Sequence, residues 1–337
     1  MVGFALLGAG VIGNIHAHNI ALHPDYKLIH VIDPKLERAN ELSELFGGHP
    51  GADINRALED DGVDIVIIAS STLVHAEQVI ACAKARKDFL CEKPIADSLE
   101  KTIACTREVE ESGVVALMGF NRRLDQDYCS MFDRVREGQI GKVEMIRITS
   151  RTFNFKSPDP RTVHFSGGMI REKGTHFFDL ATWISGAEPL EVYAAGSCLI
   201  DKNYEKFGEV DTASIIIRLD NDALVSLEFS RRAIYGQDEW MEVAGSEGML
   251  QCGRKKTGSM LQYTKSGILM DRINSQWYEQ FKPTYALQLD QLVAATLKQG
   301  KVHATLIDGL KAQAVAEAAI QSISQNRPVK IEKVWLI

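Results

Sequence analysis

Three short segments carry residue types and spacings able to move a hydride and a proton. Gly8-Ala9-Gly10-Val11-Ile12-Gly13 is a G-x-G-x-x-G turn between an apolar run and a helix-spaced stretch. The first glycine permits a tight turn, the second lets backbone approach a pyrophosphate, and the third allows close helix packing. Val11 and Ile12 open the following helix, whose unpaired N–H groups attract an anion. Asp33 ends the second predicted strand, 20 residues after Gly13. A carboxylate there accepts from ribose hydroxyls and repels a 2′-phosphate, so the pattern predicts NAD binding rather than NADP.

The second segment is Cys91-Glu92-Lys93-Pro94, directly after a predicted strand. Strand ends at the carboxyl edge of a parallel sheet face the ligand crevice, which aims Lys93 at the reacting hydroxyl. A lysine there can hold or share that proton. Locally, Lys93 and Glu92 also read as a surface ion pair before a proline turn. Ser70, Ser71 and His75 follow the preceding strand and are candidates to line the nicotinamide ribose; a helix start capped by Ser71 or Thr72 is the equal alternative.

In the third segment Glu172 and His176 stand at i and i+4, with Asp179 three residues on, so a helix puts them on one face. An imidazole beside a carboxylate suits a general base. As an ordinary surface pair the two would contribute only ~0.3 kcal/mol. Arg123, Asn154 and Tyr235 are nominated as hydrogen-bonding contacts for a polyol, with Tyr285 a weaker candidate. His16 reads as a packing or hydrogen-bonding residue at the domain interface, and Arg123 alternatively as an ion-pair partner of Asp125 or Asp127.

These residues need a scaffold, and the apolar periodicity supplies one. Strands are predicted at 4–7, 27–32, 63–69, 88–91 and 114–118, with helices at 12–22, 34–46, 73–86 and 98–112. Such alternation implies βαβ units and a parallel sheet covered on both faces. Beyond about residue 120 the strands lengthen (143–152, 190–198, 212–219, 224–230 and 240–244), and helices are expected at 125–136, 170–184, 283–297 and 306–324. The reading is an α/β chain: a dinucleotide-binding domain over 1–121, then an α+β domain over 122–337 built on an open, mainly antiparallel sheet for substrate binding and oligomerisation.

Composition narrows the function classes. The 337 residues are 45% hydrophobic and 25% charged, with a net charge of -7 and no basic stripe, which argues against nucleic acid. No run of ~18 apolar residues suggests a membrane span. The six cysteines form no C-x-x-C pair, so neither a disulfide framework nor a metal site is expected. A cytoplasmic location follows from the same thiols and from the lack of a leader pattern.

GAGVIGNIHA at the start, EKPIA at Glu92–Ala96, GFNRR at Gly119–Arg123 and GGMIREKGTHFFDL at Gly167–Leu180 occur in that order. Together they resemble the glucose–fructose oxidoreductase, inositol dehydrogenase and rhizopine-catabolism (Gfo/Idh/MocA) family, and most of all its inositol 2-dehydrogenases. The resemblance implies a Rossmann domain plus an open-faced α/β domain, dimers or tetramers formed through its sheet, and metal-free, NAD(P)-dependent chemistry on cyclitols or sugars. It implies that His176 takes the hydroxyl proton, Glu172 orients the imidazole, and Lys93 stabilises the alkoxide, with the roles of Lys93 and His176 open to exchange. Family inositol dehydrogenases usually carry Asp where this chain has Glu172. The added methylene means either a dyad rebuilt at longer reach or a different substrate. An aldose dehydrogenase of the same family and a non-catalytic NAD-binding regulator are the competing functions.

Overall fold

The computed structural model describes residues 1–153 and 168–337, and the chain divides into two compact units. The first holds six strands: β1 (Val2–Leu7), β2 (Tyr26–Ile32), β3 (His49–Gly51), β4 (Ile65–Ile68), β5 (Asp88–Cys91) and β6 (Ala116–Met118). All pair in parallel, in the order β3-β2-β1-β4-β5-β6. The chain reverses direction across the sheet between β1 and β4, the place where doubly wound sheets bind ligands. Every residue of β4 and all but the first of β1 are buried, as a strand covered on both faces requires. The covering helices are α1 (Val11–Leu22), α2 (Leu36–Phe46), α3 (Asn55–Leu58), α4 (Thr72–Lys84) and α5 (Leu99–Ser112). Ser98 caps α5 by accepting from Lys101 N.

The first unit also contains residues 283–314 and 333–337, which the sequence reading grouped with the second domain. Polar contacts anchor them. Tyr26 donates to Asp290 at 2.7 Å, Asn121 to Thr284 at 3.0 Å, and Thr102 to Gln313 at 2.8 Å. No local pattern announces such long-range pairing.

The second unit contains α6 (Gln126–Arg136), β7 (Val143–Arg151), α7 (Thr175–Ser185), β8 (Pro189–Ser197), β9 (Thr212–Leu219), β10 (Leu224–Ser230), β11 (Asp238–Gly245) and β12 (Gly248–Gly253). Its seven-stranded sheet runs β12-β11-β7-β10-β9-β8-β15, β15 being Val329–Lys330. Only the β7–β10 pair is parallel. Along β9 burial alternates strictly: Ala213, Ile215, Ile217 and Leu219 point inward and Ser214, Ile216 and Arg218 outward. Asp220-Asn221-Asp222 turns the chain between β9 and β10 in a hairpin that pairs Arg218 with Leu224, and Asp222 takes the left-handed turn at φ 67°. On the inner face Phe229 meets the rings of Phe177 and Phe178 at 5.6 and 6.4 Å.

Several elements depart from the periodicity. The segment Ile170–Gly174 is a π-turn leading into α7, where one α-helix over 170–184 is expected. Helix α8 (Trp277–Thr296) begins before Pro283 instead of at it, and α9 spans Leu306–Gln325. Proline signals a helix start because its missing N–H costs least there, yet here it sits inside the helix. The short β3, the glycine-bounded β12 and the hairpin β13 (Leu261–Thr264) and β14 (Gly267–Met270) carry too little pattern to be read from sequence.

All six cysteines are free thiols. Burial pushes Cys82, Cys105 and Cys252 up to about 12, and Cys91 well above its ordinary value. Thiols so far from ionisation are inert.

Asp211 pins the loop between β8 and β9. It is fully buried and accepts from the N–H groups of Leu199, Ile200 and Asp201 at 2.8–2.9 Å and from the Thr212 hydroxyl at 2.9 Å. Burial alone would raise its carboxyl, but these donors outweigh it and hold the group below its ordinary value. A depressed carboxyl adds stability at neutral pH that is lost as pH falls through ~4 and below. Asp211→Asn turns an NH2 toward N–H donors and should cost about 1–3 kcal/mol at pH 7. Urea melts at pH 7 and pH 3 check this, with the deficit expected to shrink in acid.

Candidate active site

In the first unit the chemistry gathers at the carboxyl edge of the parallel sheet. Gly8 turns the chain at φ 101°, and a Cβ there would stand 2.5 Å from the Ala69 carbonyl oxygen. One on Gly13 would stand 1.9 Å from the Gly8 carbonyl oxygen, so neither position tolerates a side chain. A Cβ on Gly10 would meet nothing within 4 Å. Gly10 is also the N-cap of α1 and supplies no side-chain cap, which leaves the N–H groups of the first turn, at Val11 and Ile12, for an external acceptor. An open cradle over an uncapped helix start fits a pyrophosphate.

Asp33, at the end of β2, is buried and tied to this turn. Its Oδ2 accepts from Ala9 N at 2.9 Å and its Oδ1 from Lys35 N at 2.8 Å. Each oxygen keeps a second lone pair, enough to take ribose hydroxyls. Ser70 donates to Gln78 at 2.6 Å, and Ser71 holds the N-cap position of α4 without a side-chain cap bond.

Glu92, Lys93 and Pro94 follow β5, and the Lys93–Pro94 peptide is cis. His75, from α4, is buried with Nδ1 2.9 Å from the Pro94 carbonyl oxygen and Nε2 3.2 Å from that of Ser70. Donating to both would require a doubly protonated ring. Burial holds His75 below its ordinary value, so the neutral ring donates to the nearer Pro94 carbonyl. The nominated cofactor residue thus fixes the lysine turn from inside. Glu92 Oε1 lies 3.0 Å from His16 Nε2, and the His16 ring meets Tyr285 edge-on at 5.6 Å. His16 therefore has the packing and hydrogen-bonding role expected of it, with both partners in this unit, while the contact of Tyr285 with His16 does not follow from local sequence.

Arg123 is almost fully buried, pairing with Asp308 at 3.0 Å and donating to the His303 carbonyl. Asp125, an alternative partner from sequence, instead receives Lys255. Burial, then the Arg123 charge, holds His303 below its ordinary value.

In the second unit Glu172 lies on the π-turn and His176, buried, in the first turn of α7. The wider turn bonds i to i+5. Glu172 and His176 therefore stand four residues apart across the junction of the π-turn and α7. Arg231, following β10, brings Nη2 to 3.8 Å from Glu172 Oε2 and lays its guanidinium 5.1 Å from the Tyr204 ring centre. Glu209 accepts from Met169 N at 3.0 Å, and burial raises its carboxyl. Sequence reasoning missed Arg231, Tyr204 and Glu209; the position of Arg231 just past a strand end was the available signal. Tyr235 donates to Asp238 at 2.8 Å, and Asp238 also takes Arg151 at 3.1 Å and Arg254 at 2.9 Å. Asn154 lies outside the described residues.

Comparison with known proteins agrees with this arrangement. Residues 2–120 match the oxidoreductase family's NAD-binding Rossmann fold, and residues 133–331 its C-terminal alpha/beta domain. The chain is 35% identical to myo-inositol 2-dehydrogenase of Thermotoga maritima over 98% of both chains. It is 33% identical to scyllo-inositol 2-dehydrogenase (NAD(+)) of Bacillus subtilis, over 97% of this chain and 96% of the relative. The crystal structure of a myo-inositol dehydrogenase from Corynebacterium glutamicum superposes with a TM-score of 0.91 at 28% identity, covering 98% of this chain and 99% of that one. The chain belongs to the Gfo/Idh/MocA oxidoreductase family, with an NAD-binding Rossmann fold followed by the family's C-terminal α/β domain.

Proposed function

We propose that this oxidoreductase oxidises a secondary hydroxyl of a cyclic polyol, an inositol, with NAD. The observation that carries the reading is the placement of Lys93 at the carboxyl end of β5, on the sheet edge that holds the glycine turn and Asp33. Full-length similarity to relatives named inositol 2-dehydrogenases supports the substrate class.

NAD, when bound, supplies the hydride acceptor. Gly8, Gly10, Val11, Ile12 and Gly13 hold its pyrophosphate and Asp33 its adenosine ribose. Ser70, Ser71, His75, Glu92 and Lys93 shape the nicotinamide end. His176 takes the hydroxyl proton, Glu172 supports the imidazole, and the Lys93 ammonium donates to the oxygen as negative charge develops there. Arg123, Asn154 and Tyr235 complete the polyol contacts. Arg123 and Tyr235 do so from within ion-pair networks that hold their polar ends in place.

We also infer a homo-oligomer, a dimer or tetramer. The outward face of the second sheet supports it by presenting Met145, Tyr193, Ile216, Leu224 and Met249 to solvent. Free, largely buried thiols support a cytoplasmic location.

A panel of inositols and aldoses with NAD, followed at the nicotinamide absorbance band, tests the reaction. Turnover on an inositol is expected; turnover on aldoses alone reassigns the substrate, and none at all leaves a cofactor-binding regulator. NAD should bind more tightly than NADP, because the Asp33 carboxylate would repel a 2′-phosphate on the adenosine ribose. Titration of both cofactors checks this, and equal or tighter NADP binding would remove Asp33 from that role. Glu172→Gln should weaken His176 as a base and move the acid limb of kcat/KM to lower pH, since losing a nearby carboxylate lowers a histidine pKa. A profile that overlays the wild type rejects the dyad.

A further inference from the structure

Lys93 is bracketed by two buried histidines from different helices. Before it, Glu92 Oε1 lies 3.0 Å from His16 Nε2, with the two side chains 10% and 0% exposed. After it, Pro94 accepts from His75. The Glu92 carboxylate is packed so closely that its Oε2 lies 2.9 Å from where a Cβ on Gly119 would be. His16 Nδ1 is buried and has no hydrogen-bond partner among the described residues. A carboxylate only accepts, and a proton on Nδ1 would have no acceptor, so Nε2 is the nitrogen that carries the hydrogen.

We propose that His16 is a positioning residue for Lys93: by donating to Glu92 it fixes the Glu92-Lys93-Pro94 turn so that the lysine ammonium meets the reacting oxygen. His16 lies three residues after Gly13 on α1, the helix whose N-terminus faces the pyrophosphate. One rigid element therefore registers the dinucleotide cradle and the lysine turn together. The inference rests on the assignment of Lys93 to the reacting hydroxyl. The groups facing Glu92 are His16 from α1 and His75 from α4, with Tyr285 of α8 behind His16 and Cys91 and Lys93 on its own segment.

The test compares His16→Leu, His16→Gln and Glu92→Gln with Lys93→Ala as reference, reading kcat, KM, NAD affinity and Tm. His16→Leu should lower kcat by at least about tenfold, as a misplaced contact does, with NAD affinity changed less than about twofold. Glu92→Gln, whose amide oxygen can still accept the His16 hydrogen, should lower kcat less than His16→Leu does. His16→Gln, which keeps an N–H donor, should recover most of the turnover. Nitrogen NMR of histidine-labelled apo protein should show His16 protonated at Nε2, a readout independent of turnover. A wild-type kcat in His16→Leu would overturn the proposal. So would equal impairment of both His16 variants with lowered Tm, or a His16 proton on Nδ1. Wild-type turnover in Lys93→Ala would instead remove the Lys93 assignment and this inference with it.

Discussion

Backbone segments crowd together at the carboxyl edge of the first sheet, and the crowding is tolerable only where side chains are missing. Gly13 lies against the Gly8 carbonyl and Gly8 against Ala69 and Ser70, both closer than any Cβ permits. Everything chemical in the first unit depends on that closeness. It lets Asp33 reach Ala9 N, and it leaves the start of α1 bare beneath an open Gly10. A methyl group at either tight position would force α1 off the sheet, carrying His16 away from Glu92 with it.

The same edge shows how one sequence feature comes to serve several ends. Asp33 both holds the glycine turn through Ala9 N and accepts from Lys35 N at the end of β2. His75 spends its donor on a carbonyl beside the lysine, a structural use of a residue type usually read as chemical. In the second unit the π-turn widens the helix at Glu172, and Arg231 approaches the longer carboxylate across a Tyr204 ring.

Much of this was legible in the sequence, for physical reasons that differ by element. Buried parallel strands such as β4 announce themselves as unbroken apolar runs, and β9 by strict alternation, because each pattern reports which faces are covered. The glycine turn, Asp33 and the Glu92-Lys93-Pro94 segment were legible because their spacing is set by local backbone geometry. The π-turn was not, since Ile170–Gly174 reads as ordinary helix and its widening is decided by tertiary packing. Nor were the partners of Arg123 and His16, which lie 185 and 76 residues away in sequence. Contacts of that range leave no trace in periodicity.

The return of residues 283–314 to the first unit has a consequence for the order of synthesis. The ribosome releases all six strands of the dinucleotide-binding sheet by Met118, yet Asp290, Thr284 and Gln313, which satisfy Tyr26, Asn121 and Thr102, are made only after strands β7 to β14. Until then the sheet has its strands but not the helices that cover these groups, and apolar surface stays open to solvent or to a chaperone. The nascent N-terminal portion is therefore an unfinished domain while the strands of the second unit are being made, and residues 283–314 complete the unit begun by β1.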